Sequence, residues 1–170
     1  RSNGGGQLTS AETLASAFTN RTLTVGYLTH KTGPAHDAFS TPKAVRLSPL
    51  SGFRWQKPVA VLINRRTYSA ANAFTMYMKT IPGVILVGDR TGGGSGLPFS
   101  SELPGGWSIR LSASPTLDVN GEHTEFGIAP DVRSHLGVND RLNGKDSMIE
   151  TAVHELRARH DSLSKAAALR

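Results

Sequence analysis

The chain of 170 residues contains no cysteine. Disulfides, a thiolate nucleophile and cysteine-ligated zinc are therefore excluded together. Aromatic residues are scarce, at 6%, and no basic run interleaves with them. Apolar runs are short: nothing approaches the roughly 18 residues that a membrane-spanning helix needs, so no integral membrane segment is expected. The chain opens at Arg1-Ser2-Asn3-Gly4-Gly5-Gly6 with no methionine and no leader pattern. It is expected to be the downstream part of a longer protein.

What is present is basic and rich in turns. The formal net charge is +6, with 18 glycines and nine prolines. The basic residues are scattered, with short pairs only at Arg65-Arg66 and Arg157/Arg159. A basic balance without a patterned patch does not identify a nucleic-acid partner, and none is expected. Apolar content of 38% against 19% charged describes a soluble globular chain, and the length suits one domain.

Leu8, Ala11, Leu14, Ala15 and Phe18 fall at helical spacing. Thr9 or Ser10 is positioned to cap that helix, and Glu12 to sit in its first turn. Strands are expected over 22–30 and 43–50, with the Gly33-Pro34 turn between them. Pro58-Val-Ala-Val-Leu-Ile-Asn64 is a short apolar run of the kind buried on both faces of a parallel sheet. A helix over 69–80, ended by Pro82-Gly83, and a strand over 84–87 complete a β-α-β unit. Residues 91–96 form a glycine loop, and 107–113 alternate as a half-exposed strand does. Asn120-Gly121 signals a hairpin, 127–131 another turn, and 147–160 a closing helix. Residues 1–164 are taken as one domain and 165–170 as a frayed tail.

Ser69 stands where the buried strand passes into a helix. Such a junction holds a hydroxyl firmly and offers it the free N–H groups and positive field of a helix start. Ala70 and Ala71 leave room beside it. The same position suits an ordinary helix cap, and local sequence leaves both readings open. Consecutive glycines before a helix, as at Gly4-Gly5-Gly6, let backbone N–H groups converge on one concavity; a simple turn is the other reading.

The motifs together resemble serine peptidase family S41, the tail-specific (C-terminal processing) and tricorn-like peptidases. Arg1-Ser2-Asn3-Gly4-Gly5 matches the end of that family's Asp-Leu-Arg-x-Asn-Gly-Gly turn. Pro58 to Asn64, followed by Thr67-Tyr68-Ser69-Ala70-Ala71-Asn72, matches its strand and Thr-x-Ser-Ala-x-Glu element. Val87-Gly88-Asp89-Arg90-Thr91-Gly92-Gly93 matches a Val-Gly-Glu-x-Thr-x-Gly segment, and Gly127-Ile128-Ala129-Pro130-Asp131 a Gly-Ile-x-Pro-Asp turn. The resemblance implies an α/β, ClpP/crotonase-like superhelix of ββα units with a mostly parallel sheet. It implies Ser69 as nucleophile and an oxyanion hole from the Ala70 N–H with Gly4 or Gly5. Glu125 would be the acid that orients the base through an intervening serine. Asn72, Gly93 and Gly94 would lie on the substrate side. The substrate would be a peptide or unfolded protein, without metal or cofactor, in an extracytoplasmic bacterial setting.

Two departures from the family pattern stand out. Gly94 occupies the place where the processing branch carries a lysine, which excludes a Ser–Lys dyad at that position. Asn72 replaces the usual glutamate. The histidine element that serves the tricorn-like branch is not found, so the base is expected upstream of Arg1. Of the six histidines (His30, His36, His123, His135, His154 and His160), only His123 lies near Glu125 in sequence. No metal-ligand spacing occurs: Glu150 and His154 lack a third partner. Nor is there a phosphate-binding pattern, since Gly144-Lys145 runs into Asp146 and position 139 is Asn. Two other functions remain open at this stage: a non-catalytic peptide-binding module on the same scaffold, and a crotonase-like acyl-CoA enzyme. Oligomeric state is not readable.

Overall fold

Pro58 and Asn64 bracket five apolar residues that form one strand of a parallel sheet, as their composition requires. A computed structural model describes residues 1–168. In chain order the elements are α1 (Leu8–Ser16), β1 (Leu23–Leu28), β2 (Lys43–Leu47), β3 (Val59–Ile63), α2 (Ala70–Lys79), β4 (Val84–Gly88), β5 (Phe99–Leu103), a 3₁₀ turn (Pro104–Gly106), β6 (Trp107–Leu111), β7 (Thr116–Leu117), β8 (Val132–Arg133), α3 (Val138–Leu142) and α4 (Ser147–Ala168). The tail expected to fray from Lys165 lies within α4 as far as Ala168, and its last two positions lie outside the described residues.

The architecture is mixed α/β. β3, β4 and β8 form a parallel sheet, and β2, β1 and β7 a separate antiparallel one. β5 and β6 make a free antiparallel hairpin. The expected parallel sheet is found in β3-β4-β8, with an isolated parallel bridge between Tyr68 and Gly93 beside it; the antiparallel sheet and hairpin stand apart from it. A parallel pair needs a crossover between its strands; α2 supplies one between β3 and β4, whereas β1 and β2 are joined by a loop.

α2 packs against both three-stranded sheets. Its Ala73, Met76, Tyr77 and Met78 share a core with Ala11 and Ala15 of α1, Val25, Leu47, Ile63 and Leu86. β4 alternates across its two faces, as a strand's period of two requires: Leu86 joins that core, while Ile85 and Val87 pack with Ala152 of α4 on the other side. This two-sided cover holds the ends of β3 and β4 still, and the functional loops leave from those ends.

Three local expectations change. α1 is capped by neither Thr9 nor Ser10; its cap position is Gln7, with no side-chain capping bond, and Glu12 lies beyond the first turn. Trp107 begins a strand whose five residues are all exposed rather than alternating in burial. Its partner β5 was missed because Ser100, Ser101 and Glu102 dilute the apolar signal. No helix among the described residues is long and apolar enough to cross a membrane.

Candidate active site

The turn after β3 is built by Asn64 and Thr67. The Thr67 N–H donates to the Asn64 carbonyl at 2.8 Å, and the Asn64 N–H donates back to the Thr67 hydroxyl at 3.1 Å. Residues 67–69 then run between two other segments. On one side the Tyr68 N–H donates to the Asn3 carbonyl at 3.0 Å. On the other, the Gly92 N–H donates to the Thr67 carbonyl and the Ser69 N–H to the Gly93 carbonyl, both at 2.8 Å.

Held in this way, Ser69 adopts φ 57° and ψ −125°. A non-glycine residue in that region costs on the order of 1–3 kcal/mol and persists only where its surroundings over-determine it. The clamp from residues 3, 92 and 93 is that over-determination. Ser69 occupies the N-cap position of α2, yet its side chain makes no capping bond. The helix start is served instead by the Ser69 carbonyl, which accepts from the Asn72 and Ala73 N–H groups at 2.8 and 3.0 Å. Of the two local readings of Ser69, the cap is thus the one its hydroxyl does not fulfil.

Gly5 (φ +99°) lies against this turn so closely that a Cβ there would stand 2.6 Å from the Tyr68 carbonyl oxygen, 2.7 Å from the Ala70 nitrogen and 2.8 Å from the Ser69 Cβ. The glycine bend and the serine, 64 positions apart in the chain, are in contact. The Gly5 N–H itself donates to Asn3 Oδ1 at 2.9 Å. The N–H groups of Gly4, Gly6 and Ala70 make no hydrogen bond among the described residues. Gly6, Ser69 and Ala70 line a single cavity of about 340 Å³.

The glycine loop joins the serine to the acid. While the Gly93 carbonyl accepts from Ser69, the Gly94 N–H donates to the Glu125 carbonyl at 3.1 Å. Gly94 (φ +76°) lies under the Tyr68 ring, where a Cβ would come within 2.2 Å of Cζ; a lysine could not stand there without displacing the tyrosine. The left-handed φ of Gly94 and the tyrosine ring above it both favour a residue without a side chain here.

The Glu125 carboxylate is half spent. Oε1 accepts a long bond of 3.4 Å from the Ser112 hydroxyl. Oε2 is buried with no partner, a state that costs free energy unless a donor arrives. None of the six histidines hydrogen-bonds Ser69 or Glu125 or lines the Ser69 cavity, and all six are exposed. His30 instead bonds the Ser114 hydroxyl through Nδ1 at 3.2 Å.

Asn72 does not face the cleft. It is fully buried, its Nδ2 donating to Ser95 Oγ at 2.6 Å and to the Thr124 carbonyl at 3.0 Å, while Oδ1 accepts from Thr91 Oγ1 at 2.6 Å. The expected substrate contact is replaced by an internal brace tying α2 to both ends of the glycine loop. Thr91, which accepts in turn from the Ile128 N–H at 2.6 Å, is the residue of this brace that sequence reasoning missed; its place in the loop motif was the available signal.

Residues 1–134 match the family model of peptidase family S41. The chain belongs to that family. Among solved structures, a candidate peptidase from Parabacteroides merdae ATCC 43184 is similar at 50% identity and a TM-score of 0.90, over 95% of this chain and 51% of that one. Mature CPAF shares the fold at 18% identity and a TM-score of 0.72, over 91% of this chain and 40% of the other. A curated protein from Chlamydia trachomatis serovar D is 28% identical over 99 residues, 56% of this chain and 16% of its own. The chain thus spans about half the length, or less, of these relatives.

Proposed function

We propose that this chain is the nucleophile-bearing part of a serine peptidase on a ClpP/crotonase-like scaffold of ββα units. The observation that carries the reading is the unspent Ser69 hydroxyl on a left-handed backbone at the start of α2, walled by the glycine bend. The Ser69 oxygen attacks a peptide carbonyl carbon while its proton passes to a base. The carbonyl oxygen becomes an oxyanion facing the helix start, where the Ala70 N–H and a glycine-bend N–H receive it. Gly6 takes that second role better than Gly5, because the Gly5 N–H is already given to Asn3. Loss of one such donor typically costs about 10²–10³ in rate. The C–N bond breaks, the amine leaves with a proton returned from the base, and water hydrolyses the acyl-enzyme to restore Ser69.

Glu125 orients that base. Its buried, partnerless Oε2 supports a donor arriving from a segment of the protein outside these 170 residues, consistent with the shorter span of the chain relative to its S41 relatives. The 170-residue chain alone is then inactive, since loss of a catalytic base costs several orders of magnitude.

A fluorophosphonate probe tests this. Full-length protein is expected to be labelled at Ser69, with labelling lost in Ser69→Ala and strongly reduced in Glu125→Gln. Labelling that persists in Ser69→Ala, or equal peptidase rates for full-length protein and the 170-residue chain, would refute the proposal.

A further inference from the structure

The cavity that contains Ser69 is lined by residues of α1, α2 and the antiparallel sheet. Its walls are apolar along most of their length: Leu8, Leu28, Val45 and Ala73. One acid, Glu12, and one phenol, Tyr77, share the lining. Leu8 and Glu12 are four residues apart on α1 and so lie on the same helix face. Glu12 is beyond the first turn of α1 and stabilises no helix start. Among the described residues its carboxylate has neither an ion-pair nor a hydrogen-bond partner. It is close enough to Tyr77 that its charge adds to burial, the larger cause, in raising that phenol to about 12. Tyr77 is therefore a neutral hydroxyl at physiological pH. The other charged lining residue, Arg110, sits on the exposed β6 and makes no ion pair with Glu12.

We propose that this cavity is the pocket for the substrate side chain on the acyl side of the cleaved bond, and that Glu12 makes it select lysine or arginine. The proposal rests on Ser69 as nucleophile. A lysine or arginine presents an apolar stem ending in a charge, and the lining offers both kinds of surface, Leu8, Leu28, Val45 and Ala73 for the stem and Glu12 for the charge. A leucine or phenylalanine filling the same space would strip water from an unpaired carboxylate and return no bond to it. An aspartate or glutamate would meet like charge at Glu12, with Arg110 on the exposed β6 as the counter-charge in the lining. Unpaired before substrate binds, Glu12 therefore works both for the cation and against the alternatives.

The test uses the full-length protein that contains this chain and fluorogenic peptides differing only in the residue before the cleaved bond: Lys, Arg, Leu or Glu. The Lys and Arg peptides are expected to exceed the Leu peptide in kcat/KM by about tenfold or more, and Glu12→Gln to collapse that ratio towards one. Glu12→Lys should reverse it in favour of Glu. A second measurement needs no turnover: calorimetric binding of peptides ending in Lys or Leu to full-length Ser69→Ala protein, with and without Glu12→Gln. The Lys-ending peptide should bind more tightly, and only while Glu12 is present. Turnover with no Lys or Arg preference, or a preference untouched by Glu12→Gln, overturns the pocket assignment and leaves Ser69 as nucleophile standing. Glu12-dependent binding without any peptide turnover or Ser69 labelling overturns the peptidase reading and keeps the cation pocket. Absence of both overturns both.

Discussion

A methyl group on Gly5 would stand 2.8 Å from the Ser69 Cβ, so the first residues of the chain and the start of α2 are fitted to one another at less than van der Waals distance for any other side chain. Gly5→Ala must push the bend away from the serine or distort the turn. In full-length protein the expected result is a fall of about 10²-fold in kcat/KM, the scale of a displacement near 1 Å at a reacting centre. Circular dichroism should show an otherwise folded chain.

Ser69→Ala separates a cap from a nucleophile by stability alone. Loss of a true capping serine costs about 1 kcal/mol. Here the hydroxyl caps nothing, and alanine inherits the same backbone strain. The midpoint of urea denaturation is expected to stay unchanged within error, while labelling and turnover disappear.

Asn72 should behave in the opposite manner. Asn72→Ala removes three hydrogen bonds at once, although Thr91 Oγ1 keeps the Ile128 N–H and the Thr124 carbonyl keeps the Gly127 N–H. Each lost bond is worth roughly 0.5–1.5 kcal/mol, so a loss of about 2–4 kcal/mol is expected by chemical denaturation. Amides of residues 91–96 should exchange hydrogen faster. A variant as stable as the parent would contradict the bracing role.

Acid should loosen the link between the start of the chain and α4. The Arg1 guanidinium bonds both oxygens of Asp146, and this hydrogen bonding is the main cause that lowers the Asp146 carboxyl from 3.8 to about 2. A carboxyl depressed by folding stabilises above its unfolded value and loses that contribution as pH falls through its folded value. The contribution is thus complete above about 4 and fades towards 2. Asp146→Asn should remove this part of the acid dependence, and salt should weaken it, because the pair is partly exposed. Stability curves of parent and variant against pH that stay parallel below 4 would count against it.

The pieces most legible in the sequence were those fixed by local chemistry. Five apolar residues between Pro58 and Asn64 announced β3, and a small-residue run after Ser69 announced α2. The family-like motifs singled out Ser69, the glycine bend and Glu125, and the fold brings the first two into contact and links the third through Gly93 and Gly94. What escaped was decided by tertiary packing. Nothing local says that Asn72 points inward, because its three partners come from residues 91, 95 and 124. Nothing local distinguishes Gly5 from Gly6 as a donor, because that depends on where the Asn3 side chain turns. The antiparallel pairing of β1 with β2, by contrast, is the return that the Gly33-Pro34 turn between the two expected strands suggests. Glu12 read as a favourable charge near a helix start, and only the packing of α1 on α2 turned it towards a cavity.

The clamp on residues 67–69 also sets an order in time. Its two jaws come from residue 3 and from residues 92 and 93, and the acid beyond them from residue 125. On the ribosome, the jaw at residue 3 precedes the serine, but residues 92 and 93 and the acid follow it. Until about three quarters of these residues have emerged and closed on one another, the turn at Ser69 lacks part of the frame that the folded chain gives it.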